Sequence, residues 1–257
     1  MALISSFRVY WANAAAQNRA WANMGWLFTD RVLRSGLGLL VLIWMARHLG
    51  PAQFGVLNYA TAYVALIWSF TDLGLSSIVV RNLVKRPEDA QRILGTAFFL
   101  RLGAVILGWS AALTGIGWLR PADTVARTLV TILATGMLFQ VCDTLAWWFE
   151  ALVQSKHIAW ARSGAFLLSA ALRVALIISR APLSAFALAS AIELAVTALG
   201  VVTVFVWRRN SATVRLSFTW AFARSLLCDS WPLIFSNLAI VIYMRLDQVM
   251  LGNMRGD

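Results

Sequence analysis

The chain has 257 residues, 60% of them hydrophobic and 13% charged, with a mean hydropathy of +0.73. A water-soluble domain is about half apolar and about a quarter charged, so this excess cannot be buried in one aqueous core and requires lipid as solvent. Lys and Arg number 22 against 11 Asp and Glu, a net charge of +11, but the basic residues fall mostly between apolar runs, where they act as topology signals and not as the footprint of a nucleic-acid binder.

Residues 1–26 are broken by Arg8, Asn13, Gln17, Asn18 and Arg19 and lack the continuous apolar core of a cleavable signal. Trp11, Trp21 and Trp26 suit the headgroup level, so this leader is expected either along the interface or as a frayed tail. Apolar spans follow at about Leu27–Ala46, Val56–Val80, Ile93–Leu113, Ala126–Phe149, Ser163–Ser179, Leu183–Trp207 and Ser230–Leu251. Leu49-Gly50-Pro51 makes a tight turn between the first two, and Arg180-Ala181-Pro182 another between the fifth and sixth. Trp147-Trp148-Phe149-Glu150 reads as an aromatic belt closing the fourth span. The loop over residues 208–229 carries Arg208, Arg209, Arg215 and Arg224 among Leu216, Phe218, Trp220 and Phe222, the pattern of a helix lying on the membrane surface. The expected fold is all-α and polytopic, with about seven membrane spans.

Basic residues alternate in density from loop to loop. One side holds Arg8, Arg19, Arg81, Lys85, Arg86, Arg92, Lys156, Arg162 and the 208–229 loop; the other holds only Arg47, Arg120, Arg180 and Arg255, with Arg127 at a boundary. The N-terminus is therefore expected in the cytoplasm.

Ionisable residues inside spans cost roughly 3 kcal/mol each at mid-bilayer, so pairing comes first. Asp72 lies eight residues before the end of its span and Arg101 eight after the start of the next, which places both about 12 Å deep in one hairpin. Arg173 and Glu193 flank the Pro182 turn at similar distances. Both pairs could simply neutralise buried charge and fix helix register, or release a charge during transport. Asp30 and Arg34 share a helix face, and Arg31 projects away from them. Arg245 and Asp247 are two apart and point to nearly opposite faces; Asn237 and Tyr243 add polarity to the same span. Arg31, Arg34 and Arg245 fit a cationic cavity for a phosphate group, since guanidinium grips phosphate oxygens in pairs; Arg31 and Arg34 equally fit snorkelling to headgroups.

Catalytic chemistry finds no foothold. His48 and His157 lie far apart, Cys142 and Cys228 belong to no metal or redox motif, and there is no phosphate-binding GxxxxGK[ST] loop. No metal, no cofactor and no enzymatic activity are expected. Gly36, Gly38, Gly115 and Gly117 suit close helix contacts or flexible helix ends.

The run WLFTDRVLRSGLGLL, continued by ARHLGPAQFGVLNYATAYVALIWSFTDLGLSSIVVRNL, with ILGTAFFLRL, WWFEALVQSKHIAWAR and SWPLIFSNLAIVIYMRLDQVMLG in order, resembles the polysaccharide-transporter branch (Wzx-type O-antigen flippases) of the multidrug/oligosaccharidyl-lipid/polysaccharide exporter superfamily. The LGPAQFG turn and the DLGL element at Asp72–Leu75 carry most of the specificity. The resemblance implies a multi-pass flippase of the bacterial inner membrane. It would move undecaprenyl-pyrophosphate-linked oligosaccharide from the cytoplasmic to the periplasmic leaflet by alternating access, beside a polysaccharide polymerase and a chain-length regulator. Such proteins have about twelve to fourteen helices in two lobes. Residues 27–207 would then be a first six-helix lobe, 208–229 a cytoplasmic interfacial loop, and 230–257 the first helix of a second lobe cut short.

By that analogy Arg31, Arg34, Arg101, Arg173 and Arg245 become contacts for the pyrophosphate, and Asp30, Asp72 and Asp247 ion or proton switches. Three alternatives stay open: an ion-coupled drug exporter, an accessory half-transporter, and a membrane polymerase or glycosyltransferase. The last is least favoured, because the outward loops are short and Asp123 is the only acid in a complete one. In a full-length protein, Arg245→Ala should cripple glycan export without loss of membrane insertion; normal surface polysaccharide in that variant would reject the role.

Overall fold

The computed structural model describes the backbone of residues 2–72, 74–152, 156–208, 217–220 and 222–232, with isolated positions at 235, 239, 240 and 243; side chains are described within those ranges from residue 31 onward, except 33. The expected seventh span therefore lies largely outside the described residues. Named helices are α1 (Ala2–Thr71), α2 (Leu75–Lys85), α3 (Ala90–Leu119), α4 (Thr124–Phe139), α5 (Asp143–Ala151), α6 (Lys156–Ile178) and α7 (Leu183–Arg208), with short 3₁₀ turns at Pro87–Asp89 and Gln140–Cys142. No strand occurs among the described residues. Among the described residues, five stretches are long and apolar enough to cross a membrane: Arg34–Lys85, Pro87–Leu119, Thr124–Ala151, Lys156–Ile178 and Leu183–Arg208.

The first of these spans 52 residues, roughly 78 Å if straight and more than twice a bilayer core. It is folded back at Gly50, whose backbone (φ 72°, ψ 170°) lies where L side chains rarely go. Pro51 then opens the second limb, where its missing N–H is not needed. Contacts show the reversal. In limb 1, Arg34 bonds to Ala159 and Ser163 near the start of α6, whereas His48 faces Phe186 near the start of α7. Limb 2 begins beside the Arg120 loop, with Arg120 over the Tyr59 ring at 4.2 Å, and runs down α3 through Tyr63–Ala112 to Asp72–Arg101. The expected hairpin is present, and the backbone helix extends from it back to Ala2 through the leader.

Two of the expected spans are interrupted. Val56–Val80 breaks after Thr71: Gly74 takes the left-handed conformation (φ 57°, ψ 18°), and α2 restarts with the Leu75 N–H donating to the Asp72 carbonyl. Ala126–Phe149 is interrupted by the Gln140–Cys142 turn, and α5 begins at Asp143. Both breaks put an aspartate at or just before the start of a short helix, where the backbone N–H groups favour negative charge.

Limb 1 packs on α6, limb 2 on α3 and α4, α4 on α7, and α2 on α5. The interior divides into two apolar clusters. One, at the Gly50 end, gathers Leu57, Tyr63, Val105, Ile116, Leu129, Met137 and Phe186. The other, at the Arg86 end, gathers Leu75, Val79, Ile93, Leu145, Phe149, Val201 and Leu226. Along α3 the clusters part around Arg101, and along α4–α5 they part between Val141 and Leu145, where Asp143 lies.

The helix over 222–232 rests on the Arg86-end cluster through Leu226 and Phe222 and runs across the boundary expected at Ser230. Its Trp220 and Trp231 flank stays exposed, as an interfacial helix requires. Trp147 and Phe149, expected in an aromatic belt, are instead 5% and 3% exposed. Phe149 meets Phe205 edge-on, and Trp147 turns inward onto Arg101. Trp118 and Trp207, 88% and 77% exposed, occupy the two ends as belt residues do.

Gly115 is pressed against the Tyr63 hydroxyl, while Gly36 and Gly117 have no neighbour within 4 Å of a β-carbon position. The closest approach is Gly108, where a β-carbon would overlap the Thr71 methyl one residue before the break. Gly108→Ala should therefore cost about 1–3 kcal/mol by wedging limb 2 from α3. Gly103→Ala, with open space around it, serves as the neutral control in detergent thermal unfolding.

Candidate functional site

Two arginine–aspartate pairs, from limb 2 and α3 and from α5 and α6, lie where the two apolar clusters part, and Arg34 of limb 1 reaches α6 beside the second pair. Arg101 Nη2 lies 3.0 Å from Asp72 Oδ1. Arg162 Nη2 lies 3.3 Å from Asp143 Oδ1. Arg34 Nη2 donates to Ser163 Oγ at 2.8 Å and to the Ala159 carbonyl at 3.3 Å, next in sequence to Arg162. Asp143 stands one helical turn before Trp147, whose ring lies on Arg101, so the two ion pairs are neighbours.

The members differ in access. The Arg101 side chain is 4% exposed and Asp72 29%; Arg162 is 36% exposed and Asp143 28%. Arg101 is held between two indoles, its guanidinium carbon 5.1 Å from the Trp68 ring centre and 5.0 Å from that of Trp147. Cation–π contacts of this kind strengthen when water is excluded. Arg101 is buried, whereas Arg162 and Arg34 are partly exposed.

A second cluster joins α6 to α7. Arg173 Nη2 reaches Glu193 Oε2 at 2.9 Å and Ser190 Oγ at 3.2 Å, and Ser169 Oγ donates to the same Glu193 oxygen at 2.7 Å. Glu193 is thereby met by two donors, as a carboxylate in a low-dielectric setting requires. Arg173 lies roughly 15 Å along α6 from Ser163, so it does not belong to the first cluster.

Both pairs expected from depth, Asp72–Arg101 and Arg173–Glu193, are thus in contact. Arg31 is exposed. The side chain of Asp30, and Arg245, Asp247 and Asn237 altogether, lie outside the described residues, so the Asp30–Arg34 pair is not described. Sequence reasoning missed Asp143–Arg162. The signal was present: an acid inside an apolar span, with a cation at matching depth across the next turn, the same arithmetic that pairs Asp72 with Arg101. By sequence, Arg162 falls among loop charges and the fourth span has no visible break.

The arrangement defines a polytopic helical membrane protein with ion-paired charge inside its helix bundle, the hallmark of a transport protein. Residues 20–257 match the family described as "Polysaccharide biosynthesis protein", and the chain belongs to it. No curated protein and no solved structure matches the chain. At the family level these findings support a membrane transporter concerned with polysaccharide.

Removing one partner of a buried pair costs about 3–5 kcal/mol because the other charge is left uncompensated. Asp72→Ala and Arg101→Ala should each lower the thermal midpoint and the membrane level of the protein. Asp72→Ala/Arg101→Ala should be milder than either; additive losses in that double-mutant cycle would show the two residues to be uncoupled.

Proposed function

We propose that the protein is a flippase that moves an undecaprenyl-pyrophosphate-linked oligosaccharide, such as an O-antigen or exopolysaccharide repeat unit, from the cytoplasmic to the periplasmic leaflet of a bacterial inner membrane. One observation carries this reading. Arg34 is bonded to Ser163, the residue after Arg162, and Arg162 shares Asp143 of α5, the helix whose Trp147 lies on Arg101, all inside otherwise apolar segments, with family membership as context. Two partly exposed guanidinium groups at the edge of an apolar interior favour a ligand with several phosphate oxygens.

The exposed basic residues support the orientation. Arg81, Lys85, Arg86, Arg92, Lys156 and Arg208 crowd the Arg86 end, against Arg47, Arg127 and Arg180 at the other, so the Arg86 end faces the cytoplasm. The substrate's headgroup then enters beside Arg34 and Arg162, while its lipid tail stays in the bilayer. The membrane potential or an ion gradient supplies the direction, and the protein carries out no covalent chemistry.

The test is complementation. A strain lacking its own O-antigen flippase should regain surface polysaccharide on expressing the protein with the rest of its transport machinery. Arg34→Gln should reduce that polysaccharide at least tenfold at an unchanged membrane level on immunoblot. Full polysaccharide in the Arg34→Gln cells would remove Arg34 from the substrate path. Dye efflux in place of glycan export would move the protein to the drug-exporter branch.

A further inference from the structure

Arg101 stands between two matching halves. Limb 2 supplies Trp68 and Asp72, four residues apart and therefore on one helix face; α5 supplies Asp143 and Trp147 at the same spacing. Both indoles stack on the guanidinium. Of the two carboxylates that accompany them, only Asp72 is bonded to it, through Nη2. Arg101 Nε and Nη1 are buried without a hydrogen-bond partner among the described residues, while Asp143 is turned toward Arg162. Buried N–H groups that lack an acceptor are costly, and a guanidinium can hold two carboxylates on separate donor edges. Asp143 is also the first residue of the nine-residue α5, directly after the Gln140–Cys142 turn, so a small rotation there redirects its carboxylate.

We propose that Asp143 exchanges partners. In a second conformation of the transport cycle it leaves Arg162 for the unpartnered Nη1 of Arg101, and Arg162, once released, binds the substrate's pyrophosphate. Arg162 is thereby a substrate-contact residue, and Arg101 a positioning residue that never meets the substrate. The naming of pyrophosphate rests on the function proposed above; the exchange itself rests on the geometry. A ligand shifts such an equilibrium only through its preference for one state. Here that preference is the anion's attraction to an Arg162 no longer neutralised by Asp143.

The experiment is calorimetric binding of undecaprenyl pyrophosphate to the purified full chain in detergent, with phosphatidylglycerol as a second probe. Asp143→Asn should bind undecaprenyl pyrophosphate at least fivefold tighter than wild type, because Arg162 no longer has to leave a carboxylate. Asp143→Asn/Arg162→Gln should lose the gain. Unchanged or weaker binding by a folded Asp143→Asn protein overturns the proposal.

The role of Arg101 is tested with its own pair neutralised as Asp72→Asn/Arg101→Gln, which leaves no buried charge alone. This change should weaken binding at least threefold when Asp143 is present and have no effect alongside Asp143→Asn. Equal weakening in both backgrounds eliminates Arg101 as the second partner. If phosphatidylglycerol binds as tightly and shows the same gain in Asp143→Asn, the exchange stands and the pyrophosphate reading fails. If wild type binds neither probe, both fail.

Discussion

The burial of Arg101 constrains the rest of the bundle. A guanidinium does not lose its proton under ordinary conditions, so α3 carries a fixed positive charge into a region that excludes water. Everything around it answers that charge. Asp72 supplies the counter-ion, Trp68 and Trp147 supply the faces of two aromatic rings, and Asp143 adds a second carboxylate at longer range. Replacing this set with apolar side chains could give an equally stable bundle; its presence inside an apolar bundle points to use rather than to stability.

The same constraint accounts for the broken helices. A continuous helix through Asp72 or Asp143 would satisfy every backbone group internally, the default in lipid. Interruption is tolerated only where other groups meet the freed N–H and C=O, and both breaks occur within the protein interior. Starting α5 at Asp143 gives that carboxylate the favourable end of a helix, and Gly74 supplies the backbone conformation that lets α2 restart after Asp72. Short helices bounded by such breaks, α2 and α5, pack on each other and share the Arg86-end cluster. The bundle is therefore built in two storeys with charge at the floor between them, joined in limb 2 through the left-handed Gly74 and between α4 and α5 through a 3₁₀ turn.

For the flippase we propose, this geometry separates two tasks. The most deeply buried cation organises the bundle, and the more exposed ones, Arg34 and Arg162, face the approach to it. A charge that is structural in one state and available in another needs partners of comparable strength on both sides. The Asp–Arg network offers that, whereas the Arg173 cluster, where Glu193 is bonded to both Arg173 and Ser169, forms a closed set between α6 and α7.

Composition, hydropathy and the alternation of basic loops were enough to establish a helical membrane protein, its Gly50-Pro51 reversal and the pairing of Asp72 with Arg101 and of Arg173 with Glu193. These features depend on residue type and on depth along a span, and a hairpin converts depth directly into proximity. The breaks after Thr71 and at Gln140–Cys142, the inward turn of Trp147, and the pairing of Arg162 with Asp143 were decided by tertiary structure alone. A glycine in an apolar run does not announce a left-handed residue, and an indole near a span end is as ready for the lipid interface as for a buried cation. Only packing between helices distant in sequence selects between those alternatives.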